Sequence, residues 1–256
     1  MNLNFKTFGQ GPPLIILHGL FGTLDNWQTL AKRWAEHYSV YLLDLRNHGK
    51  SPHADEMNYT IMAEDVRLFM ESQWIYEAIV LGHSMGGKVA MELALHHPDM
   101  VRQLLVVDIA PKSYPGGHEG IFAALLALDL SQINDRKEAE VQLREHIPEQ
   151  GVRQFLLKNL SREKEGGYRW KMNLPIIHQF YQEILGNVYQ EGQYEGPTLF
   201  IRGGQSRYIA DEDMDVIHQL FPAATLKTVP QAGHWVHAEA PDDLHAFVLA
   251  FLEEEN

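Results

Sequence analysis

Gly82-His83-Ser84-Met85-Gly86 follows the apolar run Ala78-Ile79-Val80-Leu81 and precedes a helix-forming stretch. A strand that turns sharply into a helix puts Ser84 on a strained corner with its hydroxyl exposed. Glycines two residues to either side let neighbouring backbone approach where a Cβ would clash. Met85 then offers a backbone N–H at the positive end of the following helix, where a developing oxyanion is stabilised. A bare G-x-S-x-G is common, and here the strand before it and the helix after it give the motif its meaning.

Working outward, short apolar runs alternate with helical periodicity. Leu14-Ile15-Ile16-Leu17, Val40-Tyr41-Leu42-Leu43 and Leu104-Leu105-Val106-Val107 read, with Ala78 to Leu81, as buried parallel strands. Between them Trp27, Leu30, Ala31 and Trp34 mark one helical face, and Met62, Val66, Phe69 and Met70 another. The rhythm resumes with Thr198-Leu199-Phe200-Ile201 and Thr225 to Val229. It ends in a helix bearing Leu244, Phe247, Val248 and Phe251, with Asp242 as the expected N-cap after Pro241. The expected fold class is α/β: a mostly parallel central sheet with helices on both faces. From Pro111 to Gly196 the strand rhythm stops. That segment reads as helices separated by Gly151, Gly166-Gly167, Pro175 and Gly192, a helical lid inserted between core segments 1–110 and 197–256. Its stripe Phe122, Leu125, Leu126 and Leu128 is read first as a packing face and second as pocket lining.

Composition narrows the chemistry. With 45% apolar and 21% charged residues, the chain has the balance of a globular protein rather than a disordered or fibrous one. No run approaches membrane-spanning length, and Met1-Asn2-Leu3-Asn4-Phe5-Lys6 lacks the pattern of an export signal, so no membrane insertion and a cytoplasmic location are expected. The absence of cysteine excludes disulfides, thiol nucleophiles and thiolate metal ligands. A net charge of −13 argues against a nucleic-acid partner. The 14 histidines show no H-E-x-x-H or comparable spacing, so neither a metal nor any other cofactor is expected.

A serine hydroxyl needs a base within hydrogen-bond reach, itself oriented by an acid. His234 lies in a loop between the last expected strand and the terminal helix, from which its imidazole can reach the elbow. For the acid, Asp108 closes the strand next in sequence after the elbow helix, while Asp211 and Asp213 compete from beyond Phe200-Ile201. Asp44 is read as a brace for the loop Arg46-Asn47-His48-Gly49. A second oxyanion donor is expected in the turn His18-Gly19-Leu20-Phe21-Gly22, from the Leu20 N–H, with Gly19 and Gly22 permitting unusual dihedrals. His18 is read as fixing that turn. Phe21, His83, Phe122 and Trp235 are candidate pocket residues.

The order Ser84, Asp108, His234 is that of the α/β-hydrolase arrangement. The His18–Gly22, Asp44–Ser51, Gly82–Lys88 and Gly233–His237 segments together resemble that superfamily over nearly the whole chain. More narrowly, Arg46-Asn47-His48-Gly49, Val107-Asp108-Ile109-Ala110-Pro111 and Gly233 to Glu239 resemble the bacterial YbfF-type esterases. That resemblance implies short-chain esters and acyl-CoA thioesters as the small-molecule substrate class. Many superfamily members carry their acid just after the strand equivalent to Leu199-Phe200-Ile201, where this chain has Ser206. As in the YbfF-type subgroup and in haloalkane dehalogenases, the resemblance places the acid on Asp108. Dehalogenation would want a carboxylate at position 84. For thioesters, Lys158, Arg162, Lys164, Arg169 and Lys171 are weighed as contacts for coenzyme A phosphates against a solvated face interleaved with Glu163 and Glu165. Two alternatives share the triad: cleavage of a carbon–carbon bond, and a ligand receptor that signals through lid movement. Oligomeric state is not legible.

Overall fold

The computed structural model describes residues 1–164, 166–189 and 191–254. Seven strands form one sheet in the order β1-β3-β2-β4-β5-β8-β9: β1 (Phe5–Phe8), β2 (Pro13–Leu17), β3 (Ser39–Leu43), β4 (Ala78–His83), β5 (Val101–Val107), β8 (Thr198–Gly203) and β9 (Ala224–Val229). All neighbours pair in parallel except β1 with β3. The apolar runs are buried on both faces because helices cover both. Leu14 and Ile16 face Trp34, Leu244 and Val248 of α1 (Gln28–Trp34) and α11 (Pro241–Glu254). Ile15 and Leu17 face Val66 and Val89 of α2 (Tyr59–Ser72) and α3 (Met85–His96). The order β3-β2-β4-β5 contains a reversal: the chain leaving β2 turns to one side of the sheet and that leaving β4 to the other. Their carboxyl ends therefore open a crevice between them, where α/β sheets bind ligands.

Between β5 and β8 lie α4 (Glu119–Ala127), α5 (Arg136–Arg144), α6 (Gln150–Leu157), the hairpin β6 (Leu160–Arg162) and β7 (Tyr168–Trp170), α7 (Leu174–Gln179) and α8 (Tyr181–Leu185). After β8 come α9 (Asp213–Leu220), β9, the short α10 (Val236–Glu239) and α11. The inserted segment is thus not wholly helical. Gly166-Gly167, both with positive φ, belong to the hairpin connection, and Gly151 and Pro175 fall in the first turns of α6 and α7 rather than between helices. Its apolar side chains join the core on the α2/α3 face through Phe122, Leu125 and Leu128, whereas Leu126 is exposed.

β1 left no signal in the sequence because it is a mostly exposed edge strand without an apolar run, held by its ladder to β3 and by Phe5 packing edge-on to Phe69. One further expectation is corrected. Pro241 is itself the first residue of α11, so Asp242 sits inside the first turn. There its carboxylate meets Arg33 at 2.7 Å instead of capping the helix.

Candidate active site

Ser84 adopts φ 52°, ψ −122°, the strained corner expected of a strand-to-helix turn. The glycines act through space: a Cβ on Gly82 would lie 2.1 Å from the Gly86 carbonyl oxygen, and one on Gly86 would lie 2.4 Å from that of Leu17. The Ser84 N–H donates to the Val107 carbonyl at 3.0 Å, which ties the corner to the end of β5. One residue further, Asp108 is fully buried, also with positive φ at 53°.

Three side chains converge here. Ser84 Oγ lies 3.0 Å from His234 Nε2, and His234 Nδ1 lies 2.8 Å from Asp108 Oδ2. A carboxylate only accepts, so the imidazole proton sits on Nδ1 and the bare Nε2 faces the serine hydroxyl. Asp108 Oδ1 accepts the Gly203 N–H at 2.9 Å, and Oδ2 also accepts from the Ser206 hydroxyl, so the buried charge is fully hydrogen-bonded. The Tyr208 ring stacks on His234 with centroids 4.0 Å apart. On the opposite side His83 Nε2 donates to the His234 carbonyl at 2.8 Å. Burial, aided by neighbouring His234 and His237, holds the His83 pKa well below the usual imidazole range, so at neutral pH it is an uncharged prop.

The turn after β2 is held from several directions. Gly22 N–H donates to the Gly19 carbonyl at 2.9 Å, and Phe21 takes the positive φ of 59°. The unusual dihedral therefore falls on Phe21, not on Gly19 or Gly22. Those two are required by close packing: a Cβ on Gly19 would come within 3.2 Å of Ser84 Cβ, and one on Gly22 within 2.8 Å of the Gly19 oxygen. His18 donates from Nδ1 to its neighbour's carbonyl and accepts the Leu45 N–H on Nε2, the turn-fixing part expected of it. His48 Nε2 accepts the Phe21 N–H, and Asn159 Nδ2 donates to the Phe21 carbonyl at 2.6 Å. Burial lowers the pKa of His18, and takes that of His48 down to about 3, so both stay neutral acceptors. The N–H groups of Leu20 and Met85 take no protein acceptor among the described residues, although both residues border the cavity at Ser84.

Two cavities meet at Ser84. One, of about 250 Å³, is lined by Phe21, Trp27, His83, Phe155, His234 and Trp235 among others. The second, of about 370 Å³, runs past Met85 and Lys88 to Tyr114, Ile184 and Leu185. Phe21, His83 and Trp235 thus border a cavity as expected. Phe122 does not: it packs behind Phe21, ring centroids 5.1 Å apart, and its neighbour Ile121 reaches the cavity instead. The rival acids are engaged elsewhere, Asp211 with Arg202 at the surface and Asp213 with Lys112. Asp44 accepts the N–H groups of Leu24 and Lys50, as a brace does. None of Lys158, Arg162, Lys164, Arg169 and Lys171 lines either cavity. Arg169 pairs with Glu163, and Glu165 lies outside the described residues. Among the described residues no group of three or more His, Asp or Glu could hold a metal ion, and no helix is long and apolar enough to cross a membrane.

Sequence reasoning missed Asn159, Ser206 as an Asp108 partner, and Tyr208. Each acts through contact with a residue 26 to 138 positions away along the chain, and only Ser206 left a trace, as the hydroxyl standing where many relatives have an acid.

Residues 12–241 match the family described as alpha/beta hydrolase fold, and the chain belongs to that family. Among its relatives, the sn-1-specific diacylglycerol lipase ABHD11 of Danio rerio is 40% identical over 99% of this chain and 83% of its own. Esterase YbfF of Escherichia coli is 38% identical over 94% of this chain and 93% of its own. A solved structure described as a marine microorganism esterase superposes with a TM-score of 0.95 at 44% identity, covering 97% of this chain and 98% of the other.

Proposed function

We propose that the protein is a serine hydrolase that cleaves short-chain acyl esters and acyl-CoA thioesters through an acyl-enzyme on Ser84. It is a carboxylic ester hydrolase, the class named in its esterase and lipase relatives. The observation that carries the reading is the hydrogen-bonded line Ser84–His234–Asp108 at the strand ends, flanked by the unengaged N–H groups of Leu20 and Met85.

Ser84 Oγ attacks the substrate carbonyl carbon while its proton passes to His234 Nε2. The carbonyl oxygen, now anionic, is received by the Leu20 and Met85 N–H groups, the latter at the first residue of α3 where the helix dipole is positive. The imidazolium, held by Asp108, gives its proton to the departing oxygen or sulfur, and the alcohol or thiol leaves. Water then attacks the acyl-enzyme, loses a proton to His234, and the acid is released as Ser84 regains its hydrogen. Ser206 and the Gly203 N–H hold the Asp108 carboxylate in its orientation toward His234. Segment 111–196 serves as the cap that walls the reacting bond from bulk water.

Ser84→Ala tests the reading. Hydrolysis of p-nitrophenyl butyrate is expected to fall on the order of 10⁴-fold or more with the melting temperature retained. Activity close to that of the parent in a folded variant would overturn it.

A further inference from the structure

The two cavities share Leu20, Ser84, His118 and Tyr208 but differ in what else they contain. His234, Trp235 and His83 border the smaller one alone, and Met85, Lys88 and Ile109 the larger one alone. That asymmetry has a chemical consequence. The group that must be protonated to depart has to lie beside the imidazole that delivers the proton, so the leaving group occupies the lobe containing His234. The carbonyl oxygen points to the N–H groups of Leu20 and Met85, and the acyl substituent continues past Met85 into the other lobe.

Resting on the acyl-enzyme reading above, we infer that the site is divided by function. The lobe walled by Trp27, Val152, Phe155 and Trp235 takes the leaving alcohol or thiol, and the lobe walled by Ile109, Tyr114, Ile184 and Leu185 takes the acyl chain.

The chemistry of the acyl lobe sets what it accepts. Its cation at the base, Lys88, is 1% exposed and spends donors on the carbonyls of Lys112 and Gly186, with the rings of Tyr59 and Tyr114 5.3 and 4.8 Å from its nitrogen. Those two carbonyl bonds make Lys88 a staple between the start of the inserted segment and Gly186 near its end, and burial pulls its pKa down to about 7. Apart from His118 and the solvent-exposed Arg207, the remaining side chains of the wall are mostly aliphatic and aromatic, which favours an uncharged alkyl chain along Ile109, Tyr114, Ile184 and Leu185. At about 370 Å³ against 250 Å³, the acyl lobe is also the roomier. Chain length is therefore read by Leu185 and Ile184, both on α8, and alcohol size by Val152 and Phe155, both on α6.

The two parts separate kinetically, because the alcohol has left before deacylation while the acyl chain has not. Steady-state and pre-steady-state hydrolysis are measured on two series: p-nitrophenyl esters from acetate to decanoate, and butyrates of alcohols from methanol to naphthol. In Leu185→Trp, kcat/KM for octanoate relative to acetate is expected to fall about tenfold or more, with slower deacylation of the octanoyl-enzyme. In Val152→Trp, acylation by naphthyl butyrate relative to methyl butyrate is expected to fall about tenfold, while the butyryl-enzyme deacylates within about twofold of the parent rate. Leu185→Ala and Val152→Ala should move each preference the other way, which guards against a bulky variant that merely folds badly. Exchange of the two patterns, or losses uniform across both series, would overturn the assignment. Failure of the parent enzyme to show a burst and to be labelled at Ser84 by a fluorophosphonate would instead overturn the acyl-enzyme reading, and the lobe assignment with it.

Discussion

Ser84, Asp108 and His234 stand at the carboxyl edge of paired parallel strands, whereas much of the wall around them comes from helices of five to nine residues inserted between β5 and β8. The two regions are held differently. In the sheet, backbone ladders and two apolar layers fix each residue, and even the strained corners at Ser84 and Asp108 are tied by main-chain bonds to Val107 and Ile201. The insert is held to the core by apolar packing, by side-chain anchors (Lys88 to Lys112 and Gly186, Asn159 to Phe21, Glu92 to the Tyr189 N–H) and by main-chain bonds from Asn173 to Asn47 and from Tyr194 to Leu220. On the proposed function, the sheet carries the reaction and the insert the choice of substrate, because short helices change readily without disturbing a ladder.

The largest expected effect lies wholly in the sheet. Asp108→Asn leaves His234 without its acceptor and should lower kcat on the order of 10⁴-fold, while Asp211→Asn, which removes only an exposed ion pair with Arg202, should stay within about twofold. The reverse ranking in steady-state kinetics would move the acid to the β8 loop.

Much of this first region was legible in the chain. Its central strands β2, β3, β4, β5 and β8 contain continuous apolar runs, and the elbow and His234 sit at fixed places relative to them. What escaped was decided by contact rather than by period. β1 is an exposed edge strand, the hairpin β6–β7 is built from Leu160-Ser161-Arg162 and Tyr168-Arg169-Trp170 with no alternation long enough to see, and Phe21 carries a positive φ that glycine would ordinarily carry. Phe122 was on the correct helix, but 3.6-residue periodicity cannot tell which buried side chain faces a cavity and which backs the one that does.

Asn159 crosses the divide and so sharpens it. It belongs to the insert yet holds the Phe21 carbonyl of the turn after β2. Asn159→Leu leaves that buried carbonyl unsatisfied, at a cost of about 1–3 kcal/mol in urea unfolding. It should also lower kcat roughly tenfold with little change in KM, short of the 10²–10³ typical of a donor lost outright. An effect on KM alone would make Asn159 part of the substrate wall instead.

A smaller effect belongs to the histidines packed under the sheet region. His48 and His237 are held at a pKa of about 3 by burial, against 6.5 in the unfolded chain. Between those values the unfolded state binds more protons than the folded one, so stability rises with pH up to about 6.5 and is lost as pH falls below it. Each such histidine contributes up to about 1.4 kcal/mol per pH unit in that window. Chemical unfolding between pH 7.5 and 5 should show the loss, and His48→Gln should flatten it; an unchanged slope would mean His48 is protonated in the fold.

Least of all is expected from the basic residues of the insert. Since Lys158, Arg162, Lys164, Arg169 and Lys171 line neither lobe, the ratio of butyryl-CoA to p-nitrophenyl butyrate hydrolysis should be unchanged between low and high salt. A ratio that falls with salt would show that these cations reach the coenzyme phosphates and that the insert contributes charge as well as shape.

The most direct measurement is mass spectrometry of the enzyme quenched during turnover of a slowly released ester. The expected result is one acyl mass added to the peptide containing Ser84, absent in Ser84→Ala and removed by hydroxylamine. An acyl group on another residue, or steady hydrolysis without any acylated protein, would contradict the account.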